Sequence, residues 1–190
     1  MQKFQLKYQK FTAFLALVAA AANFVYALGF ATDLYSLSYH RDPKSTLLYV
    51  EGAELYNTVQ PFNHRLLQYS LLLLVLSITI FMFIGHRRRL YFASNYITSG
   101  AFAAFAAFMG WFIRSNNAEF KDKYLKIDFA RMREVTEFLN IRYVESTLFL
   151  DIGLYLGYVL YAVAALVVLN LLLKLLWTGA EKKSLGRDAK

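Results

Sequence analysis

The chain reads as an all-α integral membrane protein: four transmembrane helices in an up-down bundle, both termini cytoplasmic, with two partly helical outer loops. Three observations predict this. Four long runs are almost free of ionisable side chains, bases far outnumber acids in the three short segments at one end of them, and 58% of the residues are hydrophobic. That content exceeds the roughly 45–50% usual in soluble domains, and the excess lies in the four runs. The clearest run is Leu148–Leu173, whose only charge is Asp151. Its Ile152–Leu173 portion has 22 residues, enough at ~1.5 Å per residue to cross a hydrocarbon core of roughly 30 Å. Phe11–Ala31, Leu66–Gly85 and Leu90–Ile113 meet the same test. The 190 residues thus form one membrane domain with spans at about 11–31, 66–85, 90–113 and 148–173. Outer loops cover 33–65 and 114–146, and a tail covers 178–190.

Charge sets the orientation. Lys3, Lys7 and Lys10 precede span one, Arg87, Arg88 and Arg89 lie between spans two and three, and Lys174, Lys182, Lys183, Arg187 and Lys190 close the chain. Against these stand only Glu181 and Asp188; the longer loops, with Asp151 counted alongside them, hold the other acids. The positive-inside rule therefore places both termini and the arginine turn in the cytoplasm, in a plasma (inner) membrane. The same placement explains the net charge of +8 without nucleic acid, for which no binding module occurs, and gives membrane lipids as partners.

Span one begins like a secretory signal, with Lys3, Lys7 and Lys10 ahead of an apolar stretch and Ala19–Ala22. Because the apolar run continues through Phe24, Val25, Leu28 and Phe30, an uncleaved signal-anchor is expected. In the first outer loop Ser45 is expected to cap a short helix through Tyr56, interrupted by Gly52, and Pro61 to occupy the first turn of the helix that becomes span two. The Ser70, Ser77 and Thr79 hydroxyls of span two can return bonds to their own backbone. Span three places small residues four apart, at Gly100/Ala104, Ala103/Ala107 and Ala106/Gly110, which lets another helix come close. With Ala19–Ala22 and Gly29 of span one, these make spans one and three the expected inner members of the bundle.

In the second outer loop Asn116 and Glu119 resemble a capping box. Leu125, Phe129, Met132, Val135 or Thr136, and Leu139 then recur at helical spacing up to Asn140. The pattern predicts an amphipathic helix over Phe120–Ile141 that packs on the bundle or meets a partner. Span four carries Gly153 and Gly157, a GxxxG pair that marks a close helix contact within or between protomers. Each hairpin joins an alanine-rich span, a charged loop and a leucine-rich span, a likeness of hydropathy alone.

Six polar residues converge on the outer interface: Asp33, His64, Arg65, Arg114, Glu145 and Asp151. One reading is a vestibule for a charged headgroup or small solute, since ionisable groups in membranes are costly to keep. The other is interfacial side chains that pair with one another, with Asp151–Arg114 and Asp33–Arg65 as candidates. Deeper in, Asn23 has Tyr69, Ser70 or a span-four tyrosine as candidate partners, and Asn170 lies toward the cytoplasm. No cofactor is implied. Without cysteine there are no disulfides or thiolate sites. His40, His64 and His86 are not placed inside spans as haem ligands would be, and His40, His64 and Asp42 match no metal signature. No nucleophile, phosphate-loop or HExxH motif occurs. The leading expectation is a non-enzymatic accessory or assembly subunit, or a homo-oligomer, with a protein partner or self-association through the small-residue faces (Gly100, Ala104, Gly110, Gly153, Gly157) and the outer helix. The alternative is a protein that binds or transports lipid or a small amphiphile at the outer polar site. A third is an enzyme using His64, Glu145 or Asp151 as acid–base groups.

Overall fold

The computed structural model describes residues 2–44, 48–83, 93–139 and 145–188, and of 2–3, 31–33, 138–139 and 177–188 the backbone only. Its helices are α1 (Gln2–Asp33), a short 3-10 helix (Tyr35–Tyr39), α2 (Leu55–Phe83), α3 (Ala93–Tyr124), α4 (Phe129–Leu139) and α5 (Leu148–Asp188); no strand occurs among the described residues. Four helical stretches are long and apolar enough to cross a membrane: Phe4–Tyr39, Leu55–Phe83, Ala93–Tyr124 and Leu148–Leu176. The expected spans Phe11–Ala31 and Leu148–Leu173 lie inside longer helices, and so do the described parts of the other two, 66–83 and 93–113. The apolar runs mark where hydrocarbon fits, whereas helical hydrogen bonding continues wherever no residue interrupts it.

Several expected boundaries move for that reason. No break occurs at Asn116, whose Nδ2 donates to the Phe112 carbonyl at 2.7 Å, while Ser115 Oγ donates to Trp111 at 2.9 Å. Both side chains satisfy the turn behind them, so α3 continues to Tyr124 and the Asn116/Glu119 capping box does not form. The helical break falls over 125–128. Asp128 is the working cap there, its Oδ1 accepting the Arg131 N–H at 3.0 Å at the start of α4. The expected Phe120–Ile141 helix is thus the end of α3 followed by α4; Asn140 and Ile141 lie outside the described residues. Pro61 stands inside α2, which begins six residues earlier at Leu55, not in its first turn. Ser45, Arg87–Arg89, Gly85 and Leu90 are also outside the described residues.

The chain divides into two compact units: Met1–Ala21 with Leu72–Met109 and Val159–Lys190, and Ala22–Leu71 with Gly110–Tyr158. The second has an aromatic core. Phe30 lies 5.6 Å from Phe62, 5.7 Å from Phe149 and 6.5 Å from Phe120, and Phe62 stacks on Phe112 at 4.9 Å. Offset and edge contacts of this kind add to the burial of large rings. Over this core the two loops clasp each other. The Asp128 N–H donates to the Glu51 carbonyl at 3.2 Å. Gly52, at φ +88°, turns so tightly that an added Cβ would stand 3.1 Å from the Ile127 backbone. Met132, Val135 and Thr136 bury the apolar face of α4, while Leu125 is 62% exposed, because it sits in the break and not on the helix. His40 is buried beside this clasp, with Nδ1 2.8 Å from the Leu48 carbonyl; since a carbonyl only accepts, that nitrogen carries the proton. Asn23 Nδ2 donates to Ser70 Oγ at 2.8 Å, choosing Ser70 among its candidate partners, and Ser70 Oγ in turn donates to the Leu66 carbonyl at 2.6 Å.

The first unit buries Ala13, Ala16, Leu73, Ile80, Phe102, Ala106, Leu160, Val163 and Val167. On α3 the inward stripe runs through Phe102, Ala103, Ala106 and Met109. Gly100 and Ala104 fall on the opposite side, since two residues turn a helix by ~200°. Ala104 is exposed, and a Cβ on Gly100 would meet nothing within 4 Å. The expected packing within the chain therefore holds for Ala106/Gly110, both buried, and not for Gly100/Ala104.

Candidate functional site

A seam between α3 and α5 gathers the polar groups of the second unit in three rungs. The helices run antiparallel along it: ascending α3 through Arg114, Asn117 and Lys121 means descending α5 through Tyr158, Gly153 and Asp151. These α3 positions repeat at three and four residues, so they share one face.

At the first rung the Arg114 guanidinium lies over the Tyr158 ring, 3.9 Å from its centroid, and Nη2 donates to the phenol oxygen at 2.7 Å. Gly157 makes room for it. A Cβ there would overlap Arg114 Cγ and sit 2.9 Å from the Gly110 carbonyl oxygen. At the second rung the fully buried Asn117 donates through Nδ2 to Tyr26 Oη at 2.6 Å and to the Leu150 carbonyl at 3.3 Å. Its Oδ1 is buried without a hydrogen-bond partner. Gly153 faces this pair, and a methyl group there would overlap both the Asn117 amide and the Tyr26 hydroxyl. The third rung is ionic. Lys121 Nζ donates to Asp151 Oδ1 at 2.6 Å and Thr147 Oγ1 to Oδ2 at 3.0 Å, with the charged side chains 34% and 29% exposed. The Gly153/Gly157 pair thus serves a contact inside the chain, one that admits polar side chains instead of bare backbone.

No protein-family model matches the chain, and no curated protein or solved structure does either. Function must therefore be argued from the geometry.

Five of the six sequence-nominated residues have described side chains. Arg114 and Asp151 stand on the seam, at different rungs. Asp151 takes Lys121 as its partner in place of the expected Arg114, because an unbroken α3 carries Lys121 two turns past Arg114 on the same face. Glu145 pairs with Arg133, Oε1 to Nε at 3.1 Å, at the rim of α4. His64 and Arg65 are exposed on α2. The Asp33 side chain lies outside the described residues. Asn117, Tyr26 and Lys121 are the seam residues that sequence reasoning missed. The available signal was the 110/114/117/121 spacing, which is visible only if the helix is not ended at Asn116.

A shallow cleft of about 300 Å³ lies beside the clasp, lined by Gly52, Glu54, Leu55, Thr58, Lys123 and Lys126. Two of its charged groups are engaged locally. Glu54 accepts from the Tyr49 hydroxyl and from the Gly52 N–H at 3.1 Å, and Lys123 pairs with Glu119 at 2.6 Å. The bond to Glu54 pushes the Tyr49 phenol above its usual value. Among the described residues no group of three or more His, Asp or Glu is placed to hold a metal ion.

Proposed function

We propose that the chain is a non-enzymatic multi-pass protein of the plasma (inner) membrane, with both termini cytoplasmic, that acts as an accessory or assembly subunit or as a homo-oligomer. The observation that carries this is the outer face of α3. Gly100 has open space where a side chain would begin, Ala101 and Ala104 beside it are exposed, and Ile97 and Trp111 flank them at 71% and 57% exposure. In lipid, where burial of apolar surface drives little, small residues that admit a second backbone are what favours association. Gly153 and Gly157 of α5 are already taken up by the seam, so association falls to α3. The outer acids support a non-catalytic reading, since Asp151 and Glu145 each hold an ion pair.

The test is native mass spectrometry, with in-membrane cross-linking, of the protein extracted gently from its own membrane. A stoichiometric partner or a defined homo-oligomer is expected, lost in Gly100→Leu and Ala104→Leu while the monomer still folds. A bare monomer would refute the subunit reading. An assembly that survives both substitutions would refute this face as its contact.

A further inference from the structure

Over residues 4–18, α1 is inverted relative to a helix of a soluble protein. Gln5, Gln9 and Thr12 are buried, whereas Phe4, Phe11 and Phe14 are each more than half exposed. Phe4, Lys7, Phe11, Phe14 and Val18 are all exposed and recur in steps of three or four residues, so they form one outward face. Lys10, also exposed, stands three residues from Lys7 on its border. Amides inside and phenyl rings outside suit a surrounding of lipid, not of water.

Two cations are set into this face. Phenyl groups bracket Lys7 along the axis, Phe4 on one side and Phe11 on the other. The Phe4 ring is held against the helix by its stack on Tyr8, at 6.3 Å between centroids, and the Tyr8 hydroxyl donates to the Leu166 carbonyl at 3.3 Å. Because Phe4 is exposed beyond Lys7, on the side away from the apolar run, both ammonium groups are kept at the level of the lipid phosphates and out of bulk water. Lys7 and Lys10 make no hydrogen bond or ion pair with any described residue. The only acids of the first unit are Glu181 and Asp188. They follow Leu166 by 15 and 22 residues of unbroken α5, which is ~22 and ~33 Å of helix. Exposed charges are screened over ~8 Å at physiological salt, so neither acid neutralises the pair. Residues three apart on a helix have Cβ atoms ~5–6 Å from each other. At that spacing like charges repel, and one anion held between them removes the repulsion.

We infer that this face of α1 seats one anionic phospholipid, its phosphate held by Lys7 and Lys10 and an acyl chain laid along Phe11 and Phe14. The occupant is a lipid because one molecule must offer phosphate and hydrocarbon within two turns of helix. A general excess of bases attracts anionic lipid diffusely; this face adds a fixed place for one molecule of it.

The full-length protein is reconstituted in phosphatidylcholine nanodiscs with and without phosphatidylglycerol and released into neutral detergent. Retained lipid is then read by native mass spectrometry. One phosphatidylglycerol held per protomer, in preference to phosphatidylcholine, is the expected result. Retention should fall at least tenfold in Lys7→Gln/Lys10→Gln and persist in Lys7→Arg/Lys10→Arg. Lys182→Gln/Lys183→Gln removes the same charge elsewhere and should hold lipid as wild type does. The inference is overturned if wild type retains the two lipids equally, or if the folded Lys7→Gln/Lys10→Gln variant binds as wild type does. An equal loss in Lys182→Gln/Lys183→Gln would also overturn it, since net charge alone would then explain the attraction. So would a protein partner that copurifies through this face in place of lipid.

Discussion

Two glycine-to-alanine substitutions add the same methyl group in two surroundings, and the structure predicts opposite outcomes. At Gly153 the new Cβ overlaps the Asn117 amide and the Tyr26 hydroxyl, so Asn117 must swing away and give up its bonds to Tyr26 (2.6 Å) and to the Leu150 carbonyl (3.3 Å). Leaving a buried amide unsatisfied costs about 1–3 kcal/mol, and overfilling a packed contact costs a similar ~1–3 kcal/mol. The higher helix propensity of alanine returns up to ~1 kcal/mol. The net expectation is a loss of about 2–4 kcal/mol. At Gly100 the added methyl meets nothing within 4 Å, so only the propensity gain remains, between zero and ~1 kcal/mol of stabilisation. The assay is reversible unfolding of the monomer in mixed micelles of rising dodecyl sulfate content, followed by far-ultraviolet circular dichroism. Asn117→Ala placed beside Gly153→Ala should recover part of the loss, since it removes the colliding group. Equal stability of Gly153→Ala and wild type, or an equal penalty at both glycines, would refute the seam as drawn.

Three further outcomes follow from the same geometry. A double-mutant cycle of Lys121→Met with Asp151→Asn should give a coupling of only ~0.5–1 kcal/mol that shrinks in high salt, because both side chains are about a third exposed. Gly52→Ala, at φ +88° and close to Ile127, should cost ~1–2 kcal/mol, read as faster amide exchange in the 49–57 segment; unchanged protection there would count against the clasp. Because the chain has no native cysteine, single-cysteine probes report topology cleanly. Lys44→Cys and Ala130→Cys should react with impermeant maleimide from outside intact cells and Lys7→Cys only after lysis; the reverse pattern would invert the orientation.

The spans were legible because the absence of charge over twenty or more residues has few other meanings. What escaped was every feature that depends on which helix faces which. Asn116 reads as a cap because asparagine prefers helix ends, yet its amide is equally content on the Phe112 carbonyl, and one-dimensional spacing does not choose between them. That single misplacement broke the 110/114/117/121 face and hid Lys121 from Asp151. Asp128 was the better cap, but its three-residue partner is Arg131, not the acid or amide that a capping box requires. GxxxG was legible as a close contact and silent about its occupant, since Asn117 comes from a segment 36 residues away. Lys174 reads as a flanking base, because composition cannot reveal that its side chain turns inward.

The bond between Glu51 and Asp128 has a bearing on biogenesis. A ribosome releases the first hairpin long before residue 128 exists, so the first loop emerges with its docking partner still unsynthesised. Closure of the clasp must wait until the second hairpin has inserted. It therefore reports a completed second hairpin, and a truncated or misinserted chain would keep Gly52 and its neighbours open to proteases. Survival of the first loop is in this sense conditional on the arrival of the second.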